Sequence, residues 1–180
     1  MTQAPAEALA SKLKSIIRDV PDFPKKGIIF KDITPLLADH AAFTELVKGF
    51  ADAYRNSGVT KVLGIEARGF LLAAPIAMEL GAGIVPVRKK GKLPYKTISA
   101  SYALEYGTDT LEIHEDALKP GEKVLIVDDV LATGGTAAAV CELVEKIGGK
   151  VEGIAMLIEL GFLNGRAKLA GRPIHSLIKY

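Results

Sequence analysis

Residues 124–136 read VLIVDDVLATGGT, from Val124 to Thr136, and the fold class turns on this stretch. Four aliphatic residues, Val124 to Val127, read as a buried strand. They run straight into Asp128 and Asp129, and carboxylates at the end of a buried strand are costly unless they have partners. A ligand bearing hydroxyls, or a metal ion, meets that need. Ala132, Thr133, Gly134, Gly135 and Thr136 then open a helix predicted over 136–147. The unpaired N–H groups and positive dipole end of such a helix favour an anion. The glycines let the backbone close around phosphate oxygens, and the two threonines add hydroxyl donors. A plain capping turn with solvated aspartates is the bland alternative. The whole string together favours a loop that grips a sugar phosphate.

Working outward, short apolar runs alternate with helical stretches. Strands are predicted over 62–65, 84–87, 151–160 and 174–178, and a helix over 70–80. Period-2 patterning on either side of Gly107 predicts a hairpin over 99–114. Nearer the N-terminus, Leu9, Leu13, Ile16 and Ile17 form the stripe of an amphipathic helix that stops at Pro21. The stretch from Val20 to Leu37 is too apolar for a simple linker. A further helix is expected after Asp39 as N-cap, with Phe43, Leu46, Val47, Phe50 and Tyr54 on one face. Strands alternating with helices indicate an α/β domain, a central mostly parallel sheet flanked by helices. Ligands of such sheets sit beyond the C-terminal ends of the strands.

Composition narrows the function. The 180 residues are 49% hydrophobic, which suits one compact domain with a sizeable core. Lys+Arg at 23 against Asp+Glu at 21 leaves a formal charge of +2. That is too little for a general nucleic-acid binder, so any basic function is local. The local candidate is the run Arg88, Lys89, Lys90, Lys92 and Lys96. A single cysteine, Cys141, rules out an internal disulfide and a multi-thiolate zinc site. The opening residues lack the apolar core of a signal peptide and no long apolar run follows, so a cytoplasmic protein without membrane contact is expected. Gly64 and Gly69 have the spacing of Walker glycines, but Phe70 and Leu71 stand where that loop needs Lys and Ser or Thr. There is no GxGxxG fingerprint. Nucleotide hydrolysis and hydride transfer both lose ground.

An apolar strand, two acids and TGGT opening a helix resembles the phosphoribosyl pyrophosphate signature of the type I phosphoribosyltransferases. FPKKGIIFKDITPLL, IEARGF, RKKGKLP, SYALEYG and LIELGFLNGR, in that order, resemble the adenine subfamily from about Asp22 to the end. The resemblance implies the type I fold over 1–180, with an N-terminal helix and base-binding hood over 1–37 and a catalytic lid region over 91–118. It implies transfer of phosphoribosyl from phosphoribosyl pyrophosphate to adenine, giving AMP and pyrophosphate. Another purine base, or a regulator that keeps the fold and binds nucleic acid, are the alternatives; near-balanced charge and the presence of Glu105 weigh against the latter.

The resemblance also distributes roles. Asp128 and Asp129 go to the ribose hydroxyls with Mg2+ nearby, held mainly through substrate, and Ala132, Thr133, Gly134, Gly135 and Thr136 go to the 5-phosphate. Glu66, Ala67 and Arg68 go to pyrophosphate, with a non-proline cis peptide expected at Glu66 to Ala67 and Arg68 also counted as catalytic. Arg88, Lys89 and Lys92 join them, some reaching a neighbouring subunit's site, which implies a homodimer. Glu105 becomes the acid or base at the purine ring nitrogens. Phe30 stacks on the base with Leu160 on its other side, and the backbone of Ile29 reads the purine edge. Lys31 replaces a frequent Arg, and Lys lacks the planar fork. His40, His114 and His175 are scattered and read as structural or exposed, and Cys141 as core.

Overall fold

The computed structural model describes residues 3–103 and 107–180. Contacts sort the chain into two compact units, Met1–Ala53 and Tyr54–Tyr180.

In the first unit, helix α1 (Gln3–Ile16) is followed by strand β1 (Arg18–Pro21), strand β2 (Ile29–Asp32), the short helix α2 (Thr34–Ala38) and helix α3 (His40–Tyr54), which runs up to the boundary. The stripe of α1 holds, with Leu13 fully buried. Its predicted end does not. The helix stops at Ile16 rather than Pro21, because Arg18 to Pro21 pair antiparallel with Ile29 to Asp32, with Val20 opposite Phe30. Ladder hydrogen bonds to a strand eight residues further on outweigh local helical periodicity, a tertiary override that a stripe of apolar residues does not reveal. The N-cap forms as expected: the Ala42 amide donates to Asp39 Oδ1 at 3.0 Å.

The second unit carries β3 (Lys61–Ile65), α4 (Arg68–Leu80), β4 (Gly83–Lys89), β5 (Thr97–Ala103), β6 (Thr108–His114), β7 (Lys123–Leu131), α5 (Gly135–Ile147), β8 (Lys150–Glu159) and β9 (Ile174–Lys179). Among the described residues these strands form one seven-stranded sheet in the order β5-β6-β4-β3-β7-β8-β9. From β4 to β9 all pairs are parallel. The β5–β6 hairpin is antiparallel and joins the C-terminal end of β4 through Arg88 opposite Glu112 and Lys89 opposite Leu111. The mostly parallel α/β sheet expected from the sequence is thus the observed one. Val124, Leu125, Ile126 and Val127 are each 0% exposed. β7 nevertheless continues past them to Leu131, so Asp128 and Asp129 lie within the strand, Asp128 opposite Met156 of β8. None of the described helices is long and apolar enough to cross a membrane.

Topology places the site. The connection through α4 leads from β3 outward to β4, and that through α5 leads from β7 outward to β8 on the other side. Adjacent parallel strands whose crossovers depart in opposite directions leave a crevice beyond their C-terminal ends. β3 and β7 are that pair, in register from Lys61 opposite Val124 to Gly64 opposite Val127. The first turn of α4 lies hard against β7 there. A Cβ on Gly69 would stand 2.9 Å from Val127 O and 3.0 Å from Asp128 Oδ1. Backbone cannot yield as a side chain does, so Gly69→Ala should cost about 1–3 kcal/mol. A lowered midpoint with an unchanged slope in a urea titration checks this; an unchanged midpoint would mean that α4 is not held so close.

Candidate functional site

Two helices begin at this crevice, and neither has a side-chain cap. Ala67 precedes α4 and Gly134 precedes α5, each without a side-chain hydrogen bond to the first turn. Gly134 takes the left-handed conformation at φ +79°, which a residue with a Cβ adopts only under strain. Two helix starts without side-chain caps at one crevice, each the positive end of a helix dipole, suit two anionic groups rather than one. A cavity of about 50 Å³ opens at the α5 start, lined among others by Asp128, residues 131–134 and Thr136. One water needs about 10–15 Å³, so the space admits a larger polar group.

The acids meet a cation of the chain itself. Asp129 is 5% exposed. Arg68 Nε stands 2.8 Å from Asp129 Oδ2, close enough to balance its charge but without hydrogen-bond alignment. That oxygen has no hydrogen-bond donor among the described residues. The Asp129 amide donates to Asp128 Oδ1 at 2.9 Å. Burial, and then repulsion from Asp129, pushes the Asp128 carboxyl well above the ordinary range. Burial raises Asp129 as well, with Arg68 opposing it.

Around this pair lies a second ring of ion pairs that sequence reasoning missed. The peptide Glu66–Ala67 is cis, as the resemblance implied. Glu66 accepts from Arg88 Nε at 3.2 Å and from the Lys89 amide at 2.9 Å. Burial alone would raise Glu66, but the Lys89 amide and Arg88 outweigh it and hold the carboxyl below its usual value. Arg88 Nη1 donates to the carbonyl of Lys92 at 3.0 Å, and the Gly91 amide donates to the buried Glu112 at 2.9 Å. Lys89 Nζ pairs with Asp109 at 3.1 Å, and that contact raises the lysine's pKa. The basic run is therefore an organised turn rather than a loose charged face. No periodicity signals these pairs; the two acids of 108–114, Asp109 and Glu112, close in the chain to a basic run, were the available hint.

The remaining site residues divide as follows. Arg68, Glu66, Ala67, Arg88, Lys89, Lys92, Asp128, Asp129 and the 132–136 loop all belong to the second unit at the ligand edge of its sheet. Leu160 follows β8 directly, its amide donating to Leu131 O at 2.9 Å. Ile29, Phe30 and Lys31 belong to β2 of the first unit. There Ile29 is 57% exposed, Phe30 meets Phe23 edge-on at 5.2 Å, and Lys31 Nζ donates to Asp19 Oδ1 at 2.7 Å. Glu105 lies outside the described residues. Cys141 is fully buried, and burial pushes its thiol up to about 11. No group of three or more His, Cys, Asp or Glu suited to a metal occurs among the described residues.

A carboxyl whose pKa rises on folding binds its proton more tightly when folded. The folded state then loses stability as pH climbs from about 3.9 through the raised value. Asp128→Asn, which keeps an acceptor for the Asp129 amide, should raise the melting point of the ligand-free protein at pH 7, by about 2–4 °C per kcal/mol recovered. The gain should vanish below about pH 4, where the parent carboxyls are protonated too. Scanning calorimetry across pH decides it, and a variant less stable at pH 7 would refute the assignment of cost to Asp128.

The comparisons with known proteins come to the same place. The phosphoribosyl transferase domain family matches residues 36–172. Adenine phosphoribosyltransferase of Acidothermus cellulolyticus is 58% identical over 163 residues, 91% of this chain and 92% of that protein. The crystal structure of adenine phosphoribosyltransferase from Thermoanaerobacter pseudethanolicus matches with a TM-score of 0.92 at 55% identity, covering 95% of this chain and 99% of that one. The Saccharomyces cerevisiae enzyme, complexed with an imino-altritol bisphosphate and adenine, matches with a TM-score of 0.90 at 39% identity over 95% of this chain and 99% of that one.

Proposed function

The chain belongs to the adenine phosphoribosyltransferases, and from that premise we propose how its own residues move a phosphoribosyl group from phosphoribosyl pyrophosphate to adenine, giving AMP and pyrophosphate. The observation that carries the reading is the pair of uncapped helix starts flanking Arg68 and Asp129. A substrate with a phosphate at one end, a diol in the middle and a pyrophosphate at the other fits that order of groups.

The backbone and hydroxyls of Ala132 to Thr136 hold the 5-phosphate, and Asp128 and Asp129 accept from the ribose hydroxyls. Those hydroxyls supply the donors that Asp129 Oδ2 otherwise lacks. The amides of the Glu66–Ala67–Arg68 turn, the Arg68 guanidinium, and Arg88, Lys89 and Lys92 receive pyrophosphate. As the bond from the anomeric carbon to pyrophosphate breaks, its electron pair leaves with the pyrophosphate oxygen and positive charge grows on the sugar. Donors fixed before reaction stabilise the departing anion without reorganising. A ring nitrogen of adenine attacks the anomeric carbon, held in line by Phe30 and Leu160 while the Ile29 backbone reads the purine edge. Glu105 handles the proton at the ring nitrogens, and the β5–β6 hairpin that bears it shields the reacting centre from water. Lys31 serves Asp19 first, so any contact it makes to the base is secondary.

Mg2+ fits as a guest of the substrate. Two carboxylates with an unsatisfied oxygen suit a hard cation, but they fall short of a full protein ligand set, so most donors are substrate oxygens and water. When bound it supplies neutralising charge to the phosphate oxygens.

Assembly as a homodimer is part of the same reading. Leu71 and Met78, one α4 face seven residues apart, are 52% and 83% exposed, with Ala74 also exposed between them. An apolar helix stripe left open to water marks an interaction surface. The substrates are those of nucleotide salvage, which together with a lone buried cysteine suits the cytoplasm.

Purified protein with phosphoribosyl pyrophosphate should form AMP from adenine and little product from hypoxanthine or guanine. Turnover of hypoxanthine in preference to adenine would overturn the base assignment. Glu105→Gln should lower kcat by about 10²–10⁴ with KM for adenine near the parent's; unchanged kcat would remove Glu105 from the proton-handling role. Met78→Lys, at so exposed a position, should change stability by less than about 0.5 kcal/mol yet shift the mass in light scattering from dimer to monomer. A parent that is already monomeric, or a variant that stays dimeric, argues against the α4 face.

A further inference from the structure

Within LIELGFLNGR the proposed function uses only Leu160. Glu159, the last residue of β8, is 7% exposed, and it is one of three buried charged residues among those described, with Glu112 and Asp129. A buried carboxylate is tolerated only with a well-matched partner. Arg166 supplies one in fork geometry: Nε donates to Oε1 at 2.7 Å and Nη2 to Oε2 at 2.7 Å. Nη1 also donates to Ile174 O and Nη2 to Ser176 Oγ, each at 3.4 Å, which ties the guanidinium to β9. Bidentate, charge-assisted pairs of this length are the strong ones.

The fork closes the segment between its two ends, and that segment presses on the phosphate loop. The Leu160 amide donates to Leu131 O at 2.9 Å, one residue before the loop begins. At the other end the backbones of Gly165 and Gly134 touch. A Cβ on Gly165 would run into Ala132 O and come within 3.0 Å of Gly134 N, and a Cβ on Gly134 would run into Gly165 O. Residues 160–166 therefore touch the loop itself at Gly165 and the residue just ahead of it at Leu160, with no side chain between the facing glycines to absorb movement.

We propose that Arg166 and Glu159 are positioning residues that brace residues 160–166 as a strut, so that the 5-phosphate loop and Leu160 move as one body and each half of the substrate pair improves binding of the other. The inference rests on the reading that Ala132 to Thr136 hold the 5-phosphate and Leu160 meets the base. Its physical content is shared ordering. A ligand that fixes the phosphate loop has already fixed Leu160 through the strut, and the second ligand is spared that cost.

Titration calorimetry tests it with ribose 5-phosphate alone, adenine alone, and adenine in saturating ribose 5-phosphate. In the parent, ribose 5-phosphate should tighten adenine binding by about fivefold or more, the lower end of couplings between sites. Arg166→Lys keeps the charge but not the fork and should reduce that factor to about twofold or less, with both ligands still binding singly. Ser176→Ala, which loses only the long contact, should keep the parent's factor. Where Arg166→Lys fails to fold, Glu159→Gln carries the same comparison. A parent with no coupling, or an Arg166→Lys variant that keeps all of it, overturns the strut while leaving the two subsites standing. Ribose 5-phosphate binding that Thr133→Ala does not weaken overturns the phosphate-loop reading, and the strut with it.

Discussion

A carboxylate buried in the middle of a parallel sheet is the constraint around which this site is built. Asp129 is 5% exposed and lies in a strand whose apolar run, Val124 to Val127, is wholly buried. Each fully buried aliphatic side chain contributes about 1.5–3 kcal/mol, so the strand can carry the penalty of the acids that end its apolar run. The penalty is met part-way by Arg68, brought to 2.8 Å by the close approach of α4 at Gly69. What is left unmet is an oxygen without a donor among the described residues, and under the proposed function a ribose hydroxyl relieves it. Under that reading, stability given up at Asp128 and Asp129 reappears as affinity, the usual trade at a functional site.

The outer ring of charges works on a different scale. Arg88 with Glu66, and Lys89 with Asp109, are partly exposed pairs, worth about 0–1 kcal/mol each. They are strong enough to shape the 88–92 turn and, under the proposed function, weak enough to yield to a pyrophosphate carrying several charges. In the inner pair only the carboxylate is buried, and Arg68 reaches water much as the outer partners do. In the proposed reading, partly exposed cations around a buried acid suit a site that binds a polyanion and then releases it.

Much of this was legible in the chain. The apolar run, the two acids and the glycine-rich start of α5 each have a local physical cause, and they appear in the structure in the order read. The β5–β6 hairpin and the Asp39 cap were legible for the same reason, since alternation around Gly107 and a short polar side chain ahead of a helix act on neighbours. The end of α1 was not, because Arg18 to Pro21 are claimed by pairing with Ile29 to Asp32, a contact between separated segments. Nor was the length of β7, where pairing of Asp128, Val130 and Leu131 with β8 prolongs the strand past its apolar part.

By itself the sequence determined the class of fold, the glycine-rich start of α5 and the acids before it, because those follow from hydrophobic pattern, glycine placement and charge within a dozen residues. The tertiary structure alone decided that Asp129 faces Arg68, that Arg88 and Lys89 are held by Glu66 and Asp109, that Lys31 turns to Asp19, and that Arg166 reaches back to Glu159. Each of these is a meeting of charges. Strand order and crossover direction bring together Arg68 and Asp129, which the chain keeps far apart, whereas Lys31 meets Asp19 through the β1–β2 register and Arg166 meets Glu159 through the fold-back of 160–166.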